Sequence, residues 1–228
     1  MSRRALAEKR PLILASIVAA LAFYYLRWGP LPELYLIPIK GAAVGLLAAY
    51  LWLRHSSPDA RLMAWAFGAA ALGDVALEVS AERTIGGLLF FAYHVMAMGV
   101  YLRNRREELS PSQKAAVVAM LILTPLIAWM MPADRAQALN MGLYGLALGA
   151  MCASAWASDF PRYRVGAGAA LFLVSDLLLF AEMGPLQGSV VPLVLVWPVY
   201  YLGQLLIATG LVSTLRKRDP ELRLVKNG

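Results

Sequence analysis

Asp74 and Asp176 each lie inside an apolar stretch, and the two stretches read as copies: FGAAALGDVALEVS around the first, GAGAALFLVSDLLLFAEM around the second. Each runs small residues, then Gly-Asp or Ser-Asp, then an apolar run, then a Glu. A carboxylate within a membrane-spanning helix costs about 2.5 to 3.5 kcal/mol on insertion scales, so it normally faces a protein interior or a wet cavity. Lys40, His94, Tyr200, Tyr201 and Gln204 are further polar groups in apolar surroundings. Two carboxylates with a His and a Lys nearby offer a general acid and a general base in one place. A Ser-His-Asp arrangement is not evident: Ser175 adjoins Asp176, but neighbours on a helix point about 100° apart. One intramembrane His and the single Cys152 disfavour a zinc site. A carboxylate-bound metal stays open, and the chemistry in view requires neither metal nor cofactor.

These residues have to be held by helices in a membrane. Of 228 residues, 60% are hydrophobic and only 15% are charged, which excludes an ordinary soluble domain. Apolar segments run at about 11–27, 34–53, 61–79, 85–103, 114–131, 136–157, 165–183 and 190–215. Most approach the roughly 20 residues that cross a hydrocarbon core of about 30 Å. The expectation is an all-α polytopic protein of eight transmembrane helices. All connections between them are short, and Pro58, Pro111, Pro132 and Pro161 are expected in loops.

The distribution of charge sets an orientation. Of the 21 Lys and Arg, only Arg27, Arg83 and Arg135 fall on one side, and Lys40 lies within a span. The rest sit at the N-terminus (Arg3, Arg4, Lys9, Arg10), in alternate loops (Arg54, Arg61; Arg103, Arg105, Arg106, Lys114; Arg162, Arg164) and in the C-terminal tail (Arg216, Lys217, Arg218, Arg223, Lys226). The positive-inside rule then places both termini in the cytoplasm, as an even number of spans requires. The net charge of +7 therefore reports topology and not nucleic-acid binding. Trp28, Trp52, Trp65, Trp129 and Trp156 fall near expected helix ends, as in an aromatic belt. The basic start followed by a long apolar run, without a small-x-small cleavage site, reads as an uncleaved anchor. High Ala, Arg and Gly content with short loops leans towards a bacterial inner membrane. Cys152 alone rules out an intrachain disulfide.

The chain reads as one domain, 1–228, with an internal duplication into halves of about 1–108 and 109–228. Asp74 and Asp176 fall on the third and seventh spans, four spans apart, so both helices cross in the same direction. That is the pattern of a parallel four-plus-four repeat. By helix rise, Lys40 lies about 9 Å from the outer side, Asp74 roughly 8 Å, Asp176 about 10 Å and His94 roughly 13 Å. Tyr200, Tyr201 and Gln204 bracket the middle of the bilayer, and Pro198 bends their helix just before them. Five helices thus place polar groups in one slab. The bland readings are a snorkelling Lys40, a structural hydrogen bond at each Asp, a packing role for His94, and interfacial positions for Glu78 and Glu182.

GDVALE, the Phe-x-x-x-His of FFAYH, the GAALFLVSDLLL block and YYLGQLLIA, with Lys40 in the second span, resemble the YhhN-like family, the lysoplasmalogenases. The resemblance runs from the second span through the eighth. It implies an eight-span membrane hydrolase that cleaves the vinyl ether bond of lysoplasmalogens to a fatty aldehyde and a glycerophospho-alcohol. Lys40, Asp74, His94, Asp176, Tyr200, Tyr201 and Gln204 stand at the family's motif positions. Gly41 departs from the Pro expected after Lys40. On this resemblance Asp74 and Asp176 divide the acid and base roles, and His94 orients water or relays protons. Tyr200, Tyr201 and Gln204 would hold glycerol oxygens or water, and Lys40 would tune a carboxylate or meet the phosphate. The implied partners are a lysophospholipid substrate and membrane lipids. The same polar set would also suit a proton-coupled transporter or a lipid-binding membrane protein.

Overall fold

Prolines and short polar stretches interrupt the apolar chain, and these interruptions set its helices. The computed structural model describes residues 10–79 and 83–219. Eight helices follow in order: α1 Arg10–Leu26, α2 Glu33–Arg54, α3 Pro58–Glu78, α4 Arg83–Arg103, α5 Pro111–Met130, α6 Ala138–Ala157, α7 Ala167–Ala181 and α8 Val190–Arg218. A single π turn, Arg162–Gly166, leads into α7, and a short 3-10 turn, Arg135–Gln137, leads into α6. No strand forms among the described residues. Seven of the helices are long and apolar enough to cross a membrane, with the π turn counted into α7, and α1 is a shorter apolar helix. This is the build of a multi-pass membrane protein.

Local chemistry explains where the helices start. Ser57 caps α3 by accepting from the Ala60 N–H at 3.2 Å, and Pro58 takes the first helical position. Ser110 and Gln113 form a reciprocal capping box at α5, with Pro111 in the same first position. Pro58 and Pro111 are therefore not loop residues, as expected from the sequence, but open their helices, where the missing N–H costs nothing. Pro38, Pro125 and Pro198 lie inside α2, α5 and α8.

Arg3, Arg4, Lys9, Arg223 and Lys226, which carry part of the orientation argument, lie outside the described residues. So does the basic stretch read as the start of an anchor, and the side chains of Arg10 and Arg83 are likewise outside.

Contacts group the described residues into two compact units. One holds the chain through Met96 together with the segment from Leu211 onward; the other holds Ala97–Gly210. In the first, α1 packs on α2, where the Ser16 hydroxyl donates to the Ala43 carbonyl, and α2 packs on α3. Gly41 is where α2 and α3 come close, since a Cβ there would stand 2.6 Å from Val75 Cγ2. In the second, α5 packs on α6 and α6 on α7. The α4–α5 and α6–α7 connections are stitched by a bridge between Arg105 and Ser158, with Arg106 N–H to Ala157 O at 3.0 Å and Asp159 N–H to Asn104 O at 2.7 Å.

Candidate functional site

The first unit carries Lys40, Asp74 and His94. Asp74 is 2% exposed on the face of α3 that also buries Phe67, Ala70 and Ala71. Gly73 sets its level against α4: a Cβ there would lie 3.0 Å from the Phe90 ring and 3.3 Å from the Gly86 carbonyl. His94 follows Phe90 by four residues, about 6 Å along α4. Its imidazole is fully buried and edge-on to Tyr93 at 5.5 Å, and Tyr93 in turn packs on Phe67 of α3 at 5.6 Å. The acid and the imidazole therefore lie on paired helices, about one turn apart in level.

Lys40 is not simply snorkelling. Its Nζ forms an ion pair with Glu78 Oε1 and lies 5.4 Å from the centre of the Phe23 ring. Only 13% of its side chain is exposed, against 33% for Glu78. Glu78, read from the sequence as interfacial, is thus the carboxylate that Lys40 grips, one helical turn beyond Asp74.

The second unit carries Asp176, Tyr200, Tyr201 and Gln204, all buried. The Tyr144 hydroxyl of α6 donates to Asp176 Oδ2 at 2.9 Å, and its ring meets Phe180 edge-on at 5.4 Å. Ser175 donates instead to the Phe172 carbonyl of its own helix at 2.8 Å. On α8, Trp197 stacks on Tyr201 at 6.1 Å and lies 5.8 Å from Tyr200, while Tyr200 meets Phe172 at 5.0 Å. The backbones of α7 and α8 touch at Gly168 and Gly203, where a Cβ on either would lie 2.7 Å from the other's carbonyl. This register puts Gln204 beside Gly168, eight residues or about 12 Å along α7 from Asp176. Tyr200 sits between those two levels.

Tyr144 is the residue that sequence reasoning missed. A tyrosine in an apolar helix carries no desolvation penalty comparable to a carboxylate's, so nothing singled it out. Depth was the available signal: Tyr144 is six residues into α6, about 9 Å, close to the roughly 10 Å assigned to Asp176.

An open apolar groove of about 500 Å³, lined by Gly45, Trp65, Gly68, Leu72 and Leu89, lies elsewhere in the first unit. Ala71 and Leu72 of α3 both line it, and Asp74 is not among its lining residues. Among the described residues, no three of His, Cys, Asp and Glu are grouped as a metal ion would require.

The first unit supplies a buried carboxylate and a buried imidazole; the second supplies a buried carboxylate that accepts from a phenol, and buried aromatic and amide side chains on α8. No curated protein and no solved structure matches the chain. A family model described as the YhhN family matches residues 35–211, most of the chain, and the protein belongs to that family.

Proposed function

We propose that the protein is a membrane-embedded hydrolase that cleaves the vinyl ether bond of lysoplasmalogens, releasing a fatty aldehyde and a glycerophospho-alcohol. The observation that carries this reading is the pair of buried carboxylates, Asp74 and Asp176, each on an apolar helix. Burying two acids in such helices is costly and calls for a use. Membership of the YhhN family supports the assignment.

Enol ether hydrolysis suits these groups. An acid gives its proton to the vinyl carbon remote from the ether oxygen, and the oxygen and the carbon it adjoins share the positive charge of an oxocarbenium ion. Water adds to that carbon and surrenders a proton to a base. The hemiacetal then collapses, its carbon–oxygen bond to glycerol breaking as aldehyde and alcohol form. The net reaction consumes one water. Neither a covalent nucleophile nor a redox partner enters the balance.

Asp74 and Asp176 divide the acid and base roles in this proposal, with His94 orienting water or relaying protons. Tyr144 orients the Asp176 carboxylate through Oδ2. Tyr200, Tyr201 and Gln204 hold glycerol oxygens or water, and the Lys40–Glu78 pair sets the charge near the headgroup.

Detergent-purified protein incubated with a lysoplasmalogen in D2O tests the reaction type. Protonation at carbon predicts a fatty aldehyde carrying deuterium on the carbon next to the carbonyl. A proton-coupled transporter moves its substrate unchanged and yields no aldehyde, and that outcome would refute the proposal.

A further inference from the structure

At the end of the second unit opposite Asp176, the chain WASDFPRYRVG turns from α6 into α7. Pro161 prevents a continuous helix, and the chain restarts in the π turn Arg162–Gly166. Gly166 makes room for two side chains at once. A Cβ there would lie 3.0 Å from Trp156 Cε3 and 3.3 Å from Arg162 Cγ. The Arg162 guanidinium consequently lies over the Trp156 indole, its carbon 5.7 Å from the ring centre.

What sets this pair apart is its unused donors. Arg162 Nε and Nη2 and Trp156 Nε1 are shielded from solvent and meet no acceptor among the described residues. Two other arginines show the usual resolution. Arg106, in the adjoining connection, gives Nε to the Ser158 carbonyl at 2.9 Å and Nη2 to that of Phe160 at 3.3 Å. Arg135 lies over Trp129 in the same manner, 4.5 Å from the ring centre, and its Nη1 donates to the Trp129 carbonyl at 2.9 Å. Arg162 has the stacking without the acceptor.

Shielded donors without partners are rare and call for an unseen acceptor. Nε–H and Nη2–H lie side by side along one edge of the guanidinium, the fork that grips two oxygens of one phosphate. Arg162 and Trp156 stand at the ends of apolar helices, the level at which phospholipid phosphates lie. Exposed Arg105 and Arg164 share the two connections with exposed Asp159, Glu107 and Glu108, so these surface charges largely offset one another. Basic pockets between transmembrane helices are a recurring mode of lipid headgroup binding. Arg162 precedes Asp176 by fourteen residues, about 21 Å along the helix, so this cluster is separate from the candidate catalytic groups.

We propose that Arg162 and Trp156 form a binding site for the phosphate of a membrane phospholipid. The site does not depend on the hydrolase reading.

Native mass spectrometry of detergent-purified protein titrated with phosphatidylglycerol, with diacylglycerol or with inorganic phosphate tests it. Wild type should hold one phosphatidylglycerol per chain, no diacylglycerol, and inorganic phosphate only at far higher concentration. Arg162→Gln should weaken phosphatidylglycerol binding on the order of tenfold. Trp156→Phe, which keeps a ring but removes the N–H, should weaken it measurably, and it serves if Arg162→Gln fails to fold. Arg164→Gln, with the same loss of charge at an exposed position, should bind as wild type does. Equal lipid binding in wild type and Trp156→Phe, or equal loss in Arg164→Gln and Arg162→Gln, would overturn the site. Inorganic phosphate displacing the lipid at equimolar concentration would overturn its assignment to lipid.

Discussion

At Asp176 one carboxylate oxygen already has its partner, the Tyr144 hydroxyl at 2.9 Å, so the acid's rotamer is fixed. A hydrogen bond to a charged group contributes about 1.5 to 3 kcal/mol. Replacing Tyr144 by Phe should therefore lower kcat by roughly ten- to hundredfold with KM nearly unchanged, because the ring contact with Phe180 survives. Wild-type kcat in that variant would remove Tyr144 from the machinery. The Lys40–Glu78 pair makes a second residue-scale prediction. Mostly enclosed, it should show a favourable coupling of about 1 kcal/mol or more in a double-mutant cycle of Lys40→Met and Glu78→Gln, read by thermal unfolding in detergent. A coupling near zero would make it an ordinary surface pair. Asp74 and Asp176 were legible in the sequence because a carboxylate in an apolar helix carries a cost that demands explanation. Tyr144 and the partner of Lys40 were not, since both are set by neighbouring helices.

At the scale of the helix, pairing depends on small residues and on what the helix ends leave unsatisfied. Gly168 and Gly203 let the α7 and α8 backbones touch and set the register of Tyr200 and Gln204. Gly203→Leu would force a side chain into the Gly168 carbonyl. Such overpacking typically costs about 1 to 3 kcal/mol, so the variant should unfold at a lower temperature, and an unchanged midpoint would contradict the register. Tyr101 presents the converse case. Its hydroxyl is buried and meets no partner among the described residues, while its ring packs on Phe160 at 6.2 Å. Tyr101→Phe should stabilise the protein by about 1 kcal/mol, since it removes an unsatisfied polar group and keeps the ring. Helix number and approximate ends could be read from the apolar runs. The π turn Arg162–Gly166 could not, because no apolar run or proline marks a change from one helical hydrogen-bond pattern to another. Pro58 and Pro111 were not legible as helix residues, since the apolar runs start three residues later and only cap geometry places the helix start.

For the whole molecule, length and hydropathy alone made the membrane architecture legible, since crossing a bilayer demands long apolar helices whatever their partners. Orientation rests on the Lys and Arg bias, and we propose that both termini are cytoplasmic. Cys152 is fully buried and so gives a quiet background for thiol labelling. Ser110→Cys should react with an impermeant reagent only from the cytoplasmic side, and Gln187→Cys only from the opposite side. The reverse pattern would invert the topology. We propose a four-plus-four duplication on the matched settings of Asp74 and Asp176, four spans apart in the sequence. We propose that the two buried carboxylates hydrolyse a vinyl ether. The most direct measurement is fatty aldehyde released from a lysoplasmalogen by detergent-purified wild type, Asp74→Asn and Asp176→Asn, each checked for a wild-type unfolding profile. Aldehyde from wild type and none from either variant is the predicted result. No aldehyde from folded wild type, or wild-type rates from both variants, would contradict the claim.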